Sequence, residues 1–435
     1  MIQTNFLSTA KFSKENILKV NSLIQNAFCL FLLLLMSSCS KSLELSSIHL
    51  VDHNNLSQSI QAPERLAIFQ KTNFGTPQPY QKIKRIFKRN KKGQVHSILT
   101  SYHSNGQMWQ RLGCIDSRAN GRFEEWNPDG KLKFEATVIG GTSDLSQEAQ
   151  MTWIFDGQSR AWADSGSLEA SIEYEKGLLQ GRTIFYHDSQ KIWKELQYEK
   201  GLLQGKAKIF FESGALLEES NYLRGEKDGP SIRFWRENRV AAKETFSEGK
   251  LIDASYFDQK GALIASVKNG NGKRLIFSKN GIHKKENIEN GRVQGLVQVY
   301  GTNDQIIKEY KIENGVKEGD DFEFDPLSGK KILRLPWKEG LLQGTVQSFY
   351  KNGQMESQKE ISSNQRNGLS LSWYEDGSLR FIEHYLKDRL QKGQYFQKGE
   401  DKPCSLVIDG EGCCTLFDQL GNFSQKIYYE NGIPI

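Results

Sequence analysis

The chain has 435 residues, of which 37% are hydrophobic, with 39 glycines and only 9 prolines; this balance favours many turns over a thin apolar layer and argues against one deep core. Aromatic residues make up 11%, which excludes intrinsic disorder, since disordered chains are poor in them. The 58 cationic and 52 anionic side chains intermingle and leave a net charge of +6, too small an excess for the electrostatic footprint of a nucleic-acid binder.

The first element is an export signal. Lys11, Lys14 and Lys19 precede the apolar run 27–36, AFCLFLLLLM, which ends in Ser37-Ser38-Cys39. An apolar stretch of that length after positive charge, closed by small residues, reads as a signal peptide over 1–38 and is too short to span a membrane. A cysteine directly after two serines resembles a bacterial lipobox, with Cys39 as the lipidated first residue of the mature chain. The absence of Asp after it leans towards the outer membrane of a two-membraned cell.

Residues 39–94 have a different texture. Up to about residue 80 they are polar, with Pro63, Pro77 and Pro79, and read as a lipid-anchored tether. Then comes KIKRIFKRNKK, in which Lys82, Lys84, Arg85, Lys88, Arg89, Lys91 and Lys92 interleave with Ile83, Ile86 and Phe87. Beside a lipid anchor, these cations are candidate contacts for anionic lipid headgroups.

From about residue 95 to the end one unit recurs. Turn signals such as Asn105-Gly106, Asp129-Gly130, Ser213-Gly214, Asn352-Gly353 and Asp376-Gly377, with degenerate members at Gln190, Asn238, Asp304, Gly399 and Gly421, mark about fourteen units. Numbered from the second residue of each signal, their spacing is 20–25 residues, except one gap of 36 that holds an insertion near 141–152. Position −4 is aromatic in thirteen of fourteen units, the exception being Asp325 with Phe324 beside it. Position +2 is usually apolar, and +8 is often large and apolar, as in Val138, Tyr174, Tyr198 and Tyr385. Equal parity places +2 and +8 on one face of an extended strand, and a three-residue loop sets −4 opposite +2. Glycine recurs at −9 and four residues earlier, so GLLQG (177–181, 201–205 and 340–344) is the joint between hairpins. Charged residues flank every copy, which excludes a membrane GxxxG motif.

The unit G-x-x-x-G-x-x-x-x-aromatic-x-x-N/D-G-x-L-x-x-E resembles the MORN repeat, in the bacterial variant of the YwqK-type antitoxin-like family. The resemblance covers about 95–432 and is most specific over 170–262 and 338–386. It implies an all-β chain: an elongated, twisted, open antiparallel sheet of about fourteen tandem hairpins of ~24 residues. The aromatic row, with Tyr186, Phe210, Phe234, Phe349 and Trp373 as its clearest members, would form a shallow core or a partner-binding groove.

Little in the sequence suggests chemistry. No phosphate loop, HExxH, GxSxG or EF-hand loop occurs, and Gly270-Asn271-Gly272 lacks the third glycine of a dinucleotide loop. His103 and His187, at −3, read as exposed strand residues. Glu135, Glu195, Glu219 and Glu286, at +5, read as solvent-face residues that pair with cations across strands. Cys114 stands alone, while Cys404 with Cys413 or Cys414 is a candidate short disulfide in an oxidising compartment. No enzymatic activity, cofactor or metal is expected. The expected function is that of a lipoprotein scaffold at the cell envelope, binding an unidentified protein partner and the membrane through its anchor. Immunity against a toxin and direct binding of anionic lipid are the competing readings; nucleic acid is not an expected partner.

Overall fold

The computed structural model describes residues 43–279 and 281–435. The predicted signal peptide and Cys39 lie outside the described residues. The chain divides into two compact units: one runs to Gln204 and includes Phe210–Gly214, and the other comprises Gly205–Ile209 and Ala215–Ile435. Each is an open antiparallel sheet of successive hairpins, so the described residues are nearly all β.

The hairpin register follows from the turn chemistry. Tyr102 sits opposite Met108, Trp126 opposite Leu132 and Tyr186 opposite Ile192 in the first unit. Tyr300 faces Ile306, Phe349 faces Met355 and Trp373 faces Leu379 in the second. The −4 aromatic therefore pairs with the +2 aliphatic, as expected. Where Asp325 breaks the pattern, Phe324 takes the aromatic site opposite Lys331. Asp325 instead caps a longer turn, accepting hydrogen bonds from the Leu327 and Ser328 amides.

One expectation fails. Each pairing is followed by a bulge: Phe185 lies opposite Lys194 and Tyr186 opposite Ile192, so Trp193 is the extra residue. The bulge reverses the alternation, and +2 and +8 fall on opposite faces. Glu195 pairs with Ile184, two residues from Tyr186, and so shares the face of the aromatic row. The deepest burial lies on the other face, at Phe123, Thr183, Leu196, Val297 and Cys414.

The joints are two-residue turns. In the first GLLQG copy, Lys176 (φ 48°) and Gly177 (φ 86°) are both left-handed, and Glu175 pairs with Leu178. That is the type I′ geometry whose twist matches the flanking strands. The second glycine, at −9, has a different task. Gly181 lies opposite Tyr198, Gly229 opposite Phe246, Gly368 opposite Tyr385 and Gly412 opposite Tyr429. The missing side chain leaves room for the large +8 residue of the next strand.

The segment expected to be a tether is folded. Strands β1 (Leu45–Asp52), β2 (Ser57–Ile60) and β3 (Tyr80–Phe87) and helix α1 (Pro63–Gln70) form the first part of the first unit, and β3 pairs with β4 (His96–Tyr102). Leu45, Ile48, Leu50, Ile60, Leu66, Phe74 and Ile83 are buried together with Tyr102, whose hydroxyl donates to the Phe74 carbonyl at 3.1 Å. Polar residues between these apolar ones lower the average hydropathy of the stretch, although enough apolar side chains point one way to bury a face. This is the capped end that a repeat array needs. The 141–152 insertion carries a short helix, Gln147–Gln150, capped by the Ser146 hydroxyl. It delivers Leu145 and Trp153 onto Phe123 and Val138.

Near the C-terminus Glu383 is buried and accepts a 2.9 Å hydrogen bond from Tyr395. Burial raises its pKa above the ordinary carboxyl value, with the Tyr395 and Tyr385 hydroxyls opposing part of the rise. The folded state therefore binds the proton more tightly than the unfolded chain does. Stability should fall as pH climbs from the ordinary carboxyl value to the raised one, then level off. Urea midpoints measured across that range should show the fall, and Glu383→Gln should remove it.

Candidate functional site

The second unit contains a cleft of about 950 Å³ on the face of the sheet that carries buried charge. It lies beside the shortest repeat. The interval from Gly261 to Gly281 is 20 residues, and strand Leu263–Lys268 is only six residues long. Three joints, Glu248-Gly249, Asn269-Gly270 and Asn290-Gly291, lie together here, as the joints at Gly410 and Gly432 do near the C-terminus. The Gly270 amide donates to the Ile252 carbonyl at 2.7 Å, the Gly291 amide to the Gly270 carbonyl at 2.9 Å, and the Leu251 amide to the Gly291 carbonyl at 3.0 Å. A joint thus contacts one two hairpins further on.

The turn at the end of that short repeat also explains Glu286. Ile282 pairs with Phe277 five residues back, whereas Ile192 pairs with Tyr186 six residues back. Glu286 consequently occupies the strand position of the buried Leu196, not that of the half-buried Glu195, and is 4% exposed. It is not the solvent-face residue expected from its count. Glu135, Glu195 and Glu219 do pair with cations across strands, with Arg122 and Arg160, with Arg182, and with Lys206.

On the cleft floor Glu286 Oε1 meets Lys284 Nζ at 2.6 Å, and its Oε2 lies 3.6 Å from Arg274 Nη1. Arg274 donates through Nε to Glu244 Oε1 at 2.9 Å, the same oxygen that receives the Tyr256 hydroxyl at 2.8 Å. Burial works against the charge on Arg274, but Glu244, Tyr256 and Glu286 outweigh it and hold the guanidinium above its ordinary pKa. Burial and the neighbouring Glu244 carboxylate push the Tyr256 hydroxyl up. For Lys284, burial is likewise outweighed, by Glu286 and Tyr310. Arg274 and Lys284 thus stay charged through the neutral range. Phe246, Ile288, Val297 and Ile312 supply an apolar wall. The arrangement offers fixed donors and acceptors beside apolar surface, which is the composition of a ligand pocket.

The residues singled out in the sequence are distributed differently. Tyr186, Phe210, Phe234, Phe349 and Trp373 are all half-buried and none lines this cleft. The basic segment is divided. Lys82 is paired with Asp144 at 2.7 Å, and Arg85 stacks over Phe74 at 4.3 Å; Lys84 is half-buried on the same strand. Lys88 pairs with Glu44 and Arg89 donates to the Gly93 carbonyl; these two, Lys91 and Lys92 remain exposed.

His103 and His187 are not free strand side chains. Each ring Nε2 donates to the carbonyl of the next repeat's −4 aromatic, Trp126 at 2.9 Å and Phe210 at 3.2 Å. Trp235, Tyr350 and Tyr374 occupy the same −3 position. The first two reach the Phe257 and Trp373 carbonyls, and Tyr374 reaches that of Phe396. Position −3 is an inter-repeat clasp. Its signal in the sequence was a recurring side-chain donor, spread over three residue types.

Cys114, Cys404, Cys413 and Cys414 are free thiols, so the candidate disulfide is not formed. Cys404 donates to the Tyr395 carbonyl, and neighbours Cys413 and Cys414 point to opposite faces of their strand. Burial pushes Cys114 up to about 11 and Cys414 up to about 12. Alkylation of the native protein near neutral pH should label exposed Cys404 first and reach Cys114 and Cys414 only after unfolding, as read by peptide mass spectrometry.

Tandem hairpins with glycine joints, half-buried turn aromatics and inter-repeat clasps define a β-hairpin repeat scaffold. Four of its stretches match the family described as MORN repeat variant, at residues 119–139, 203–223, 342–361 and 366–387. No curated protein matches the chain significantly. Among solved structures, the crystal structure of TcdB2-TccC3-TEV is 11% identical over 84% of this chain and 24% of its own, with a TM-score of 0.13. That of TcdB2-TccC3 without its hypervariable C-terminal region is 10% identical over 85% of this chain and 28% of its own, also at 0.13. The chain spans about a quarter of the length of these two proteins.

Proposed function

We propose that the protein is a bacterial lipoprotein whose MORN-repeat array is a protein-binding scaffold at the cell envelope. The supporting observation is a row of exposed aliphatic side chains at the hairpin joints. Ile154, Leu178 and Leu202 are 40%, 52% and 50% exposed in the first unit. They follow one another closely: a Cβ on Gly177 would lie 3.3 Å from Ile154, and one on Gly201 would lie 3.8 Å from Leu178. Val316 and Leu341, 42% and 43% exposed, repeat the arrangement in the second unit. Regularly spaced aliphatic surface of this kind is the usual mark of a protein partner. The internal pairing of Lys82 and Arg85 leaves less of the basic segment for lipid headgroups.

Affinity capture of the membrane-anchored protein, with mass spectrometry of what accompanies it, tests the reading. A specific partner should be retained by the native chain and lost from the triple variant Ile154→Ser, Leu178→Ser, Leu202→Ser. Retention by both forms would place the contact elsewhere. Mass analysis of the mature N-terminus tests the anchor, because a chain still carrying residues 1–38 is not a lipoprotein. If the partner proves to be a toxin neutralised on binding, the immunity reading replaces the general one.

A further inference from the structure

We propose that the exposed face of the last strands of the second unit is a dimer interface, covered by the same face of a second copy of the chain across a two-fold axis. The inference goes beyond the scaffold reading and does not rest on it, since this face shares no residue with the joint row that supports that reading.

The strands Arg389–Tyr395, Ser405–Ile408, Glu411–Phe417, Phe423–Glu430 and Ile433–Pro434 pair in succession. Their two faces differ. Tyr395, Val407 and Cys414, with Ile427 and Tyr429 packed against them, form a core on one side. On the other side, the alternate residues Leu406, Ile408 and Tyr428 are exposed, as are Ile433 and Ile435 beside them, all between 44% and 76%. Register brings them together. Ile408 pairs with Glu411, Cys413 with Tyr428 and Glu430 with Ile433, and the Ile435 amide donates to the Tyr428 carbonyl at 2.9 Å. Leu406, Cys413, Tyr428 and Ile435 therefore form a row across the sheet, with Ile408 and Ile433 beside it. Apolar side chains contiguous over several strands mark an interaction surface, as single exposed ones do not.

The charges beside the row select its occupant. Lys426 and Glu430 lie two residues to either side of Tyr428 and on its face. Lys426 Nζ leans over the Tyr428 ring, 5.4 Å from its centroid. Both charges are exposed, and among the described residues neither has an ion-pair partner. A cation and an anion thus stand at equal distances on opposite sides of one apolar row. A two-fold axis along that row reverses the strand direction, so Lys426 of each copy lies over Glu430 of the other while Tyr428 meets Tyr428. Such an interface is self-complementary. Face-to-face sheets pack about 10 Å apart, a gap that a lysine and a glutamate bridge from opposite sides. A partner with charge of one sign would meet a like charge at one edge of the row; a second copy meets none.

The patch is small. Five strands about 4.8 Å apart span roughly 20 Å, which places the contact among weak interfaces that dissociate on dilution.

The test is sedimentation velocity of the full chain over a concentration series, in a non-ionic detergent that keeps the apolar run 27–36 from associating. The parent should pass from monomer to dimer as concentration rises. Lys426→Glu and Glu430→Lys should each weaken the dimer at least tenfold, because each sets two like-charged pairs against one another. An equimolar mixture of these two variants should recover it, since every contact across the axis then joins opposite charges again. Tyr428→Asp should abolish it, while thermal melting shows that each variant is folded. The proposal is overturned if the parent stays monomeric throughout, which leaves the face to a different protein or to solvent. It is equally overturned if the charge variants associate as the parent does, or if their mixture stays monomeric.

Discussion

Replacing Asp321 by alanine should destabilise the second unit by about 1–3 kcal/mol, the cost of leaving the half-buried Lys317 ammonium without its acceptor. Asp321 is 0% exposed, and its Oδ2 lies 2.5 Å from Lys317 Nζ and 3.6 Å from Lys308 Nζ. Lys317 is fixed between the rings of Tyr310 and Trp337, 4.8 Å from each centroid. It cannot swing into solvent when its counter-ion is lost without vacating that slot. Lys308 keeps a second partner, Glu323 at 2.6 Å, so the loss falls mainly on Lys317. The double variant Asp321→Leu with Lys317→Met should recover most of the stability, because removing both charges also removes their desolvation cost. Hydrogen exchange across residues 306–338 reads the effect locally. Equal protection in Asp321→Ala and the parent would mean that the pair contributes nothing.

The second large effect is expected at Gly272. Its φ is +146°, and a Cβ there would stand 2.2 Å from the Ser266 carbonyl oxygen and 2.9 Å from the Val267 Cα. Both are backbone atoms and cannot rotate away. Gly272→Ala should cost more than the roughly 1–3 kcal/mol of backbone strain alone, since the hairpin must also open. Gly157→Ala is the control: φ is +73°, but nothing lies within 4 Å of the added carbon. It should show only the strain. Urea midpoints for the two variants separate the contributions, and similar losses would show that the contact is relieved without consequence.

The architecture was legible because its signals are local and repeated. The turn aromatic and the aliphatic six residues later specify a pairing that needs no long-range information, and Tyr186 opposite Ile192 shows it. Parity counting then failed one residue on, at Trp193, because a bulge changes the face of all that follows and leaves no residue type to announce it. The fate of Glu286 turned on the same arithmetic: one residue fewer in a turn exchanged a solvent position for a buried one. The buried place of Glu286 on the cleft floor was hidden for that reason. The folded segment around β1 and α1 was missed for another. Its apolar residues, Ile48, Leu50, Ile60, Leu66 and Ile83, are individually ordinary and gain meaning only when a sheet and a helix bring them together.

The clasp at position −3 bears on how the chain comes to be folded. His103 reaches the carbonyl of Trp126, 23 residues on, and Tyr350 reaches that of Trp373 at the same distance. The contacts that secure a repeat are thus complete once the next repeat has been made, and none of these clasps waits for the far end of the polypeptide. A chain emerging slowly, or threading through an export channel from its N-terminus, can lay down structure in step with its own appearance. The capped start, with Leu66 and Phe74 already seated under Tyr102, gives that process a place to begin.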